Sequence, residues 1–203
     1  LHAVGHTLLD RKPDTRILYM SGERFMNEFI HSIRNDKMAE FRRRYREECD
    51  VLLLDDIQFI ANKDSTQEEF FHTFNTLYNA QKQIILSADC APSEIPTLED
   101  RLVSRFKWGL VAEIEPPDYE TRMLIVKNKA RLRGNAFPDD VCEFVAERFS
   151  GNIRELEGAI LKVISVADLQ KKPVDLESAK NALKSLITPR KRKITVERII
   201  EIV

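Results

Sequence analysis

No apolar run in the chain approaches the roughly 20 residues that a membrane-spanning helix needs, and nothing at its start reads as a secretory signal. Neither sign of charge dominates. Lys+Arg 32 stand against Asp+Glu 33, for a formal charge of -1. That balance excludes a global basic field for wrapping duplex DNA, so any nucleic-acid contact has to be local. Cysteine is scarce. Cys49, Cys90 and Cys142 are far apart and odd in number, which fits neither a zinc site nor a disulfide framework and suits a reducing interior. His2, His6, His31 and His72 show no metal-ligand spacing. Internal repeats and low-complexity tracts are missing, and so is any G-x-x-x-x-G-K-[ST] phosphate loop.

What is present is enough for a real core. Hydrophobic residues make up 43% of 203, the size of one ordinary domain or of a main domain with a satellite. The most informative stretch is Val51-Leu52-Leu53-Leu54-Asp55-Asp56-Ile57-Gln58-Phe59-Ile60. Four apolar residues in a row read as a strand buried on both faces, as in a parallel sheet. Two carboxylates at its C-terminal end fall where open α/β sheets bind ligands. Such a pair suits a divalent cation and a water beside nucleotide phosphates. Asp also favours caps and turns, which is the plainer alternative.

Around this stretch the pattern alternates. Strands are expected at 16–20, 51–54, 83–86 and 110–114. Helices are expected at 1–9, from Ser21 to about 34, at 38–46, after a loop at 61–65, and at 98–106. Alternating strands and helices predict an α/β parallel sheet. Beyond Pro116-Pro117 the character changes to helices only. Asp118 opens one, Pro138-Asp139-Asp140 the next, and Asn152 with Glu155 a third; Pro173 precedes a fourth. The expected organisation is an α/β core at 1–116, a small all-α subdomain at 117–187, and a basic linker, Pro189-Arg190-Lys191-Arg192-Lys193, entering a helix at Thr195.

Other residues carry two readings each. Asp89, past the third strand, suits positioning a water or sensing a γ-phosphate, or else an Asx-turn before Pro92. Arg101 and Arg105 share a helix face and suit phosphate contact, or else a salt bridge to Glu99 or Asp100. Arg154 sits in the first turn of its helix, where a cation opposes the helix dipole; that mild cost points to a role, against an ordinary solvated arginine. The basic runs at 42–46 and 190–193 read as solvated faces.

Taken together, Tyr19-Met20-Ser21-Gly22-Glu23-Arg24-Phe25, Leu52-Leu53-Leu54-Asp55-Asp56-Ile57-Gln58-Phe59, Gln67-Glu68-Glu69-Phe70-Phe71-His72-Thr73-Phe74-Asn75, Ser104-Arg105-Phe106-Lys107-Trp108-Gly109-Leu110, Ile114-Glu115-Pro116-Pro117 and Asn152-Ile153-Arg154-Glu155-Leu156-Glu157-Gly158-Ala159 are similar in content, order and spacing to the AAA+ domain of the bacterial chromosomal replication initiators, the DnaA family. The resemblance implies a P-loop NTPase-type AAA+ core followed by a helical lid. It implies ATP and Mg²⁺ as cofactors, a slow regulatory ATPase in the full-length protein, and a bacterial cytoplasmic setting. Its partners would be ATP and ADP, origin DNA including single-stranded DNA, further copies of itself in a filament, and the replicative helicase machinery. On the same resemblance Asp55 is the Walker B metal acid and Asp56 the acid aiding hydrolysis, with Glu23 assisting. Asp89 is sensor 1, Arg105 the arginine finger with Arg101 beside it, and Arg154 the sensor 2 arginine. Ile30, Lys63 and Thr66 would meet single-stranded DNA. Ser65 and Cys90 depart from the family, which usually has arginine at both places.

The resemblance also implies that the phosphate loop and its strand precede Leu1. That strand would lie between the 83–86 and 110–114 strands, and each buried group it leaves unpaired would cost about 1–3 kcal/mol. The expectation is therefore poor stability and negligible ATP affinity for these residues alone. The rival readings are a related AAA+ regulator or helicase loader, and a nucleotide-free DNA-binding or scaffold protein.

Overall fold

The computed structural model describes residues 1–187, so the basic linker and the helix at Thr195 lie outside the described residues. Three strands form the sheet: β1 (Ile17–Ser21), β2 (Val51–Asp55) and β3 (Gln83–Leu86). They run parallel in the order β1-β2-β3, with Ser21 opposite Asp55 and Leu54 opposite Leu86. The Val51-Leu52-Leu53-Leu54 run is buried throughout because β2 is the central strand, covered on both faces. All three strand tips therefore point to the same end of the sheet.

Helices α1 (His2–Arg11), α2 (Gly22–Arg34), α3 (Met38–Arg46), α4 (Asp64–Asn79) and α5 (Asp100–Lys107) accompany the sheet, with a 3₁₀ turn at Ile57–Ile60. Ser21 caps α2 by accepting the Arg24 backbone N–H at 3.2 Å. Helix α2 ends at Asn35, and Asp36 turns the chain with φ 55°. The core here is rich in rings. Phe25 meets Tyr45 edge-on at 5.2 Å and Phe70 at 5.4 Å, and Phe70 approaches Phe106 at 6.2 Å. Buried charge ties α3 to α4: Glu69, its side chain 6% exposed, accepts a two-pronged contact from Arg42 and a third bond from Arg46. On the other side of α3, the Tyr45 hydroxyl donates to Glu28 at 2.6 Å. Burial pushes the Glu28 carboxyl up, but the bonds from Tyr45 and Arg24 and the charge of Arg44 outweigh it and hold it below the usual range.

Two expectations fail. Residues 110–114 form no strand; Leu110 is 96% exposed and Ile114 94%. An apolar run becomes a strand only where a neighbour offers a hydrogen-bonding edge, and among the described residues the sheet ends at β3. The loop expected at 61–65 is also shorter, since Asp64 already starts α4 and Ser65 and Thr66 lie in its first turn.

The chain divides into two compact units, Leu1–Ala112 and a second from Glu113 onward, just ahead of Pro116-Pro117. The second unit consists of α6 (Tyr119–Leu132), α7 (Asp139–Arg148), α8 (Ile153–Gln170) and α9 (Leu176–Ile187). Asp118 caps α6 through the Thr121 N–H, and Asn152 caps α8 through the Arg154 N–H, both at 2.8 Å. Val126, Val141, Val145, Leu156, Ala159 and Ile160 are among the buried side chains of its core. Among the described residues no helix is long and apolar enough to cross a membrane.

Candidate functional site

Asp55 is the last residue of β2, and the neighbouring strands hold its carboxylate from both sides. The Tyr19 hydroxyl of β1 donates to one oxygen at 3.0 Å. The Ser87 hydroxyl, one residue past β3, donates to the other in a short hydrogen bond. The Ser87 bond is the largest influence holding Asp55 below the usual carboxylate range; partial burial opposes it and Tyr19 reinforces it. The same contact pushes the Tyr19 phenol up. Asp55 is thus an anion at neutral pH, half-buried at a strand tip.

Asp56 turns the chain out of the sheet in the left-handed region, φ 55° and ψ 55°, a conformation Asp tolerates better than most residues. Its N–H donates to the Ser87 Oγ at 3.1 Å, and its Oδ1 accepts from the Gln58 amide at 3.2 Å. The other amide atom of Gln58, Oε1, is buried without a partner. Helix α2 crowds this turn. A Cβ on Gly22 would lie 2.7 Å from the Asp56 carbonyl oxygen, so only glycine permits the approach. Glu23, the next residue, is exposed in the first turn of α2.

These groups fit a hydrated divalent cation. Mg²⁺ retains several waters and is commonly held through one or two carboxylates plus substrate phosphates. Asp55 is ionised, and its two oxygens keep lone pairs beyond those used by Tyr19 and Ser87. Among the described residues there is no cluster of three or more ligating side chains, so this is not a closed all-protein cage.

The other expected site residues are distributed as follows. Asp89 is exposed just beyond β3, at the same end of the sheet as Asp55 and Asp56. On α5, Arg101 takes the salt bridge to Glu99 and lies 4.7 Å over the Phe71 ring. Arg105 has no ion pair among the described residues; it lies 4.4 Å over Trp108 and 5.9 Å over Phe71. Arg154 is exposed on α8, in the other unit. Ile30 is half-buried on α2, and Lys63 is exposed at the start of α4. Thr66 is 4% exposed, in the first turn of α4. The structure therefore brings Asp55 and Asp56 together at one strand tip, with Glu23 in the first turn of the helix that starts beside it and Asp89 just past the adjacent strand end.

Tyr19 and Ser87 were not singled out from the sequence. The signal was available in part, because a parallel register that sets Ser21 opposite Asp55 puts the ends of β1 and β3 beside β2. Which hydroxyl reaches which oxygen depends on the pairing itself.

A parallel sheet with an ionised acid at the tip of its central strand, a second acid in the following turn and, later in the chain, a separate helical unit is the organisation of a nucleotide-type α/β fold of the AAA+ class. Comparison with known proteins narrows this. The family model of the bacterial DnaA ATPase domain matches residues 1–113. The chromosomal replication initiator protein DnaA of Caldanaerobacter subterraneus subsp. tengcongensis is 54% identical over 201 residues, which is 99% of this chain and 45% of that protein. Domain III of the Thermotoga maritima replication initiation protein DnaA superposes with a TM-score of 0.88 at 41% identity, covering 92% of this chain and 78% of that one. A replication initiator DnaA solved with AMPPCP and single-stranded DNA superposes with a TM-score of 0.68 at 32% identity, covering 86% and 63%. The chain belongs to the bacterial DnaA family. It spans about half the length of the curated relatives it matches.

Proposed function

We propose that these residues are the nucleotide-responsive part of an ATP-dependent initiator of chromosomal DNA replication in the bacterial cytoplasm. ATP-bound protomers assemble at the origin, bind and open DNA, and engage the replicative helicase machinery, and hydrolysis switches the assembly off. The observation that carries the reading is Asp55, an anion held at the tip of the central strand by Tyr19 and Ser87. Asp55 would hold Mg²⁺, which when bound neutralises charge on the nucleotide phosphates. Asp56 orients the attacking water, helped by Glu23, and Asp89 senses the γ-phosphate. Arg105 reaches the nucleotide of a neighbouring protomer with Arg101 at the same face, and Arg154 is the sensor 2 arginine, which contacts the nucleotide of its own protomer. That Arg105 has no ion pair among the described residues, and lies over the Trp108 ring, supports its role. The relative solved with AMPPCP and single-stranded DNA supports both ligands for this family. Ile30, Lys63 and Thr66 are the candidates for the DNA contact, with Lys63 exposed, Ile30 half-buried and Thr66 buried in the first turn of α4.

The test uses the complete gene product. Asp55→Asn is expected to abolish the gain in ATP affinity that Mg²⁺ brings, measured by titration with a fluorescent ATP analogue, and to abolish ATP-dependent assembly on single-stranded DNA. An Asp55→Asn protein that retains both would sink the reading.

A further inference from the structure

Ser87 stands where two chain segments meet the acid pair, and none of the roles above uses it. Its backbone carries the ladder past the end of β3: its N–H donates to the Leu54 carbonyl at 3.0 Å, and its carbonyl accepts the Ile57 N–H at 2.9 Å. The first bond ties Ser87 to β2 and the second to the 3₁₀ turn that follows Asp56, so its backbone is held on both sides of the acid pair. From there the hydroxyl does two things at once. It donates to Asp55 Oδ1 and accepts the Asp56 N–H at 3.1 Å. One donor hydrogen and two acceptor lone pairs make these uses compatible.

The geometry points to Ser87 as a positioning residue for the acid pair, one hydroxyl that sets the orientation of the Asp55 carboxylate and pins the turn that carries Asp56. The inference rests on the reading of Asp55 as the metal-holding acid. Two features make the hydroxyl, and not merely a small side chain, the operative part. Tyr19 holds the second Asp55 oxygen from the opposite strand, so removing the Ser87 bond leaves a carboxylate tethered at one point and free to rotate. Asp56 sits in the left-handed region, a conformation that persists only where surrounding bonds enforce it. Without the Ser87 oxygen its N–H has no acceptor there.

Groups that orient a metal-ligating carboxylate change metal affinity by about 10–100-fold when removed. In the complete gene product, Ser87→Ala is therefore expected to cut the Mg²⁺-dependent gain in affinity for a fluorescent ATP analogue about tenfold. Affinity without Mg²⁺ is expected to stay unchanged. Amide hydrogen exchange at Asp56 is expected to quicken, while exchange along β2 stays as it was. Ser87→Thr, which keeps the hydroxyl, is expected to match the unsubstituted protein in both readouts. If Ser87→Ala does not fold, Ser87→Cys replaces it, since the thiol has similar bulk and is a weak donor. Full retention of the Mg²⁺-dependent gain and of Asp56 protection in the Ala or Cys protein overturns the inference, and so does a Thr protein as impaired as the Ala one. Asp55→Asn separates the two levels. If it too keeps the Mg²⁺-dependent gain, the metal-acid reading fails; if it loses the gain while Ser87→Ala does not, only the role of Ser87 falls.

Discussion

The Leu1–Ala112 unit packs Phe25, Phe29, Phe41, Tyr45, Phe70, Phe74 and Phe106 into its core, whereas the unit from Glu113 onward buries mainly Val, Leu, Ile and Ala. The treatment of charge differs in parallel. Around Glu69 and Glu28 the first unit encloses carboxylates and supplies each with several partners. The second keeps its ion pairs outside, as with Lys127–Asp139 and Lys129–Glu157. Rings meet edge-on or tilted with a preferred geometry, and buried charges tolerate few arrangements. Such a core fixes where each attached group sits. Aliphatic helix packing accepts repacking more readily, because volume matters more than orientation. The unit that carries the acid pair is thus the one whose interior dictates position.

That contrast can be broken. The largest effect is expected from Phe25→Ala, at about 3–5 kcal/mol, because a fully buried ring in edge contact with Tyr45 and Phe70 is lost. Leu156→Ala, the matching deletion in the helical unit, is expected to cost about 2–5 kcal/mol. Trp108 is the only tryptophan and lies in the first unit, so its fluorescence follows that unit while far-UV circular dichroism follows both. Phe25→Ala should lower the denaturation midpoint seen by fluorescence. Leu156→Ala should shift the circular-dichroism curve and leave the fluorescence midpoint in place. If Leu156→Ala moves both midpoints equally, the two cores are not separate.

A middle-sized effect distinguishes the enclosed from the outer ion pairs. Glu69→Ala leaves Arg46, whose side chain is 19% exposed, without its carboxylate, and is expected to destabilise by about 1–3 kcal/mol in urea denaturation. Glu157→Ala, removing one partner of an exposed pair, is expected to cost no more than about 1 kcal/mol. Equal costs would mean that enclosure adds nothing.

The smallest effect concerns pH. Arg16 holds the Asp50 carboxyl down to about 2, from an ordinary 3.8, through hydrogen bonds from its side chain and its backbone. A lowered pKa in the folded state gives stability that is fully present above the ordinary value and is lost as the pH falls from about 4 towards 2. Asp50→Asn should make the urea midpoint fall less steeply over that window while leaving its slope above pH 5 unchanged. An unaltered acid slope would remove Asp50 from the account.

Much of this architecture was legible because it rests on local chemistry. The apolar run before Asp55 required a central parallel strand, and Ser21, Asp118 and Asn152 marked helix starts that the structure keeps. What failed depended on partners far along the chain. Residues 110–114 have strand-like composition but gain no ladder. The hold on Asp55 belongs to the same class. Tyr19 and Ser87 lie 36 and 32 residues from it, and only the strand order brings them to opposite sides of one carboxylate. Arg101 illustrates a third case: the salt bridge to Glu99 is one of its two sequence readings and the structure forms it, while the stacking on Phe71 depends on a helix about 30 residues away and had no signal in the local sequence.

Gly22 makes α2 a lever with its fulcrum at the acid turn. The helix starts in contact with the Asp56 carbonyl and runs outward for 13 residues, so Ile30 rides about 12 Å from that pivot at 1.5 Å per residue. A tilt of about 10° at the fulcrum displaces Ile30 by about 2 Å, on that same helical rise. A side chain at position 22 would push the start of α2 away from the Asp56 turn and carry Ile30 with it, eight residues further along the helix.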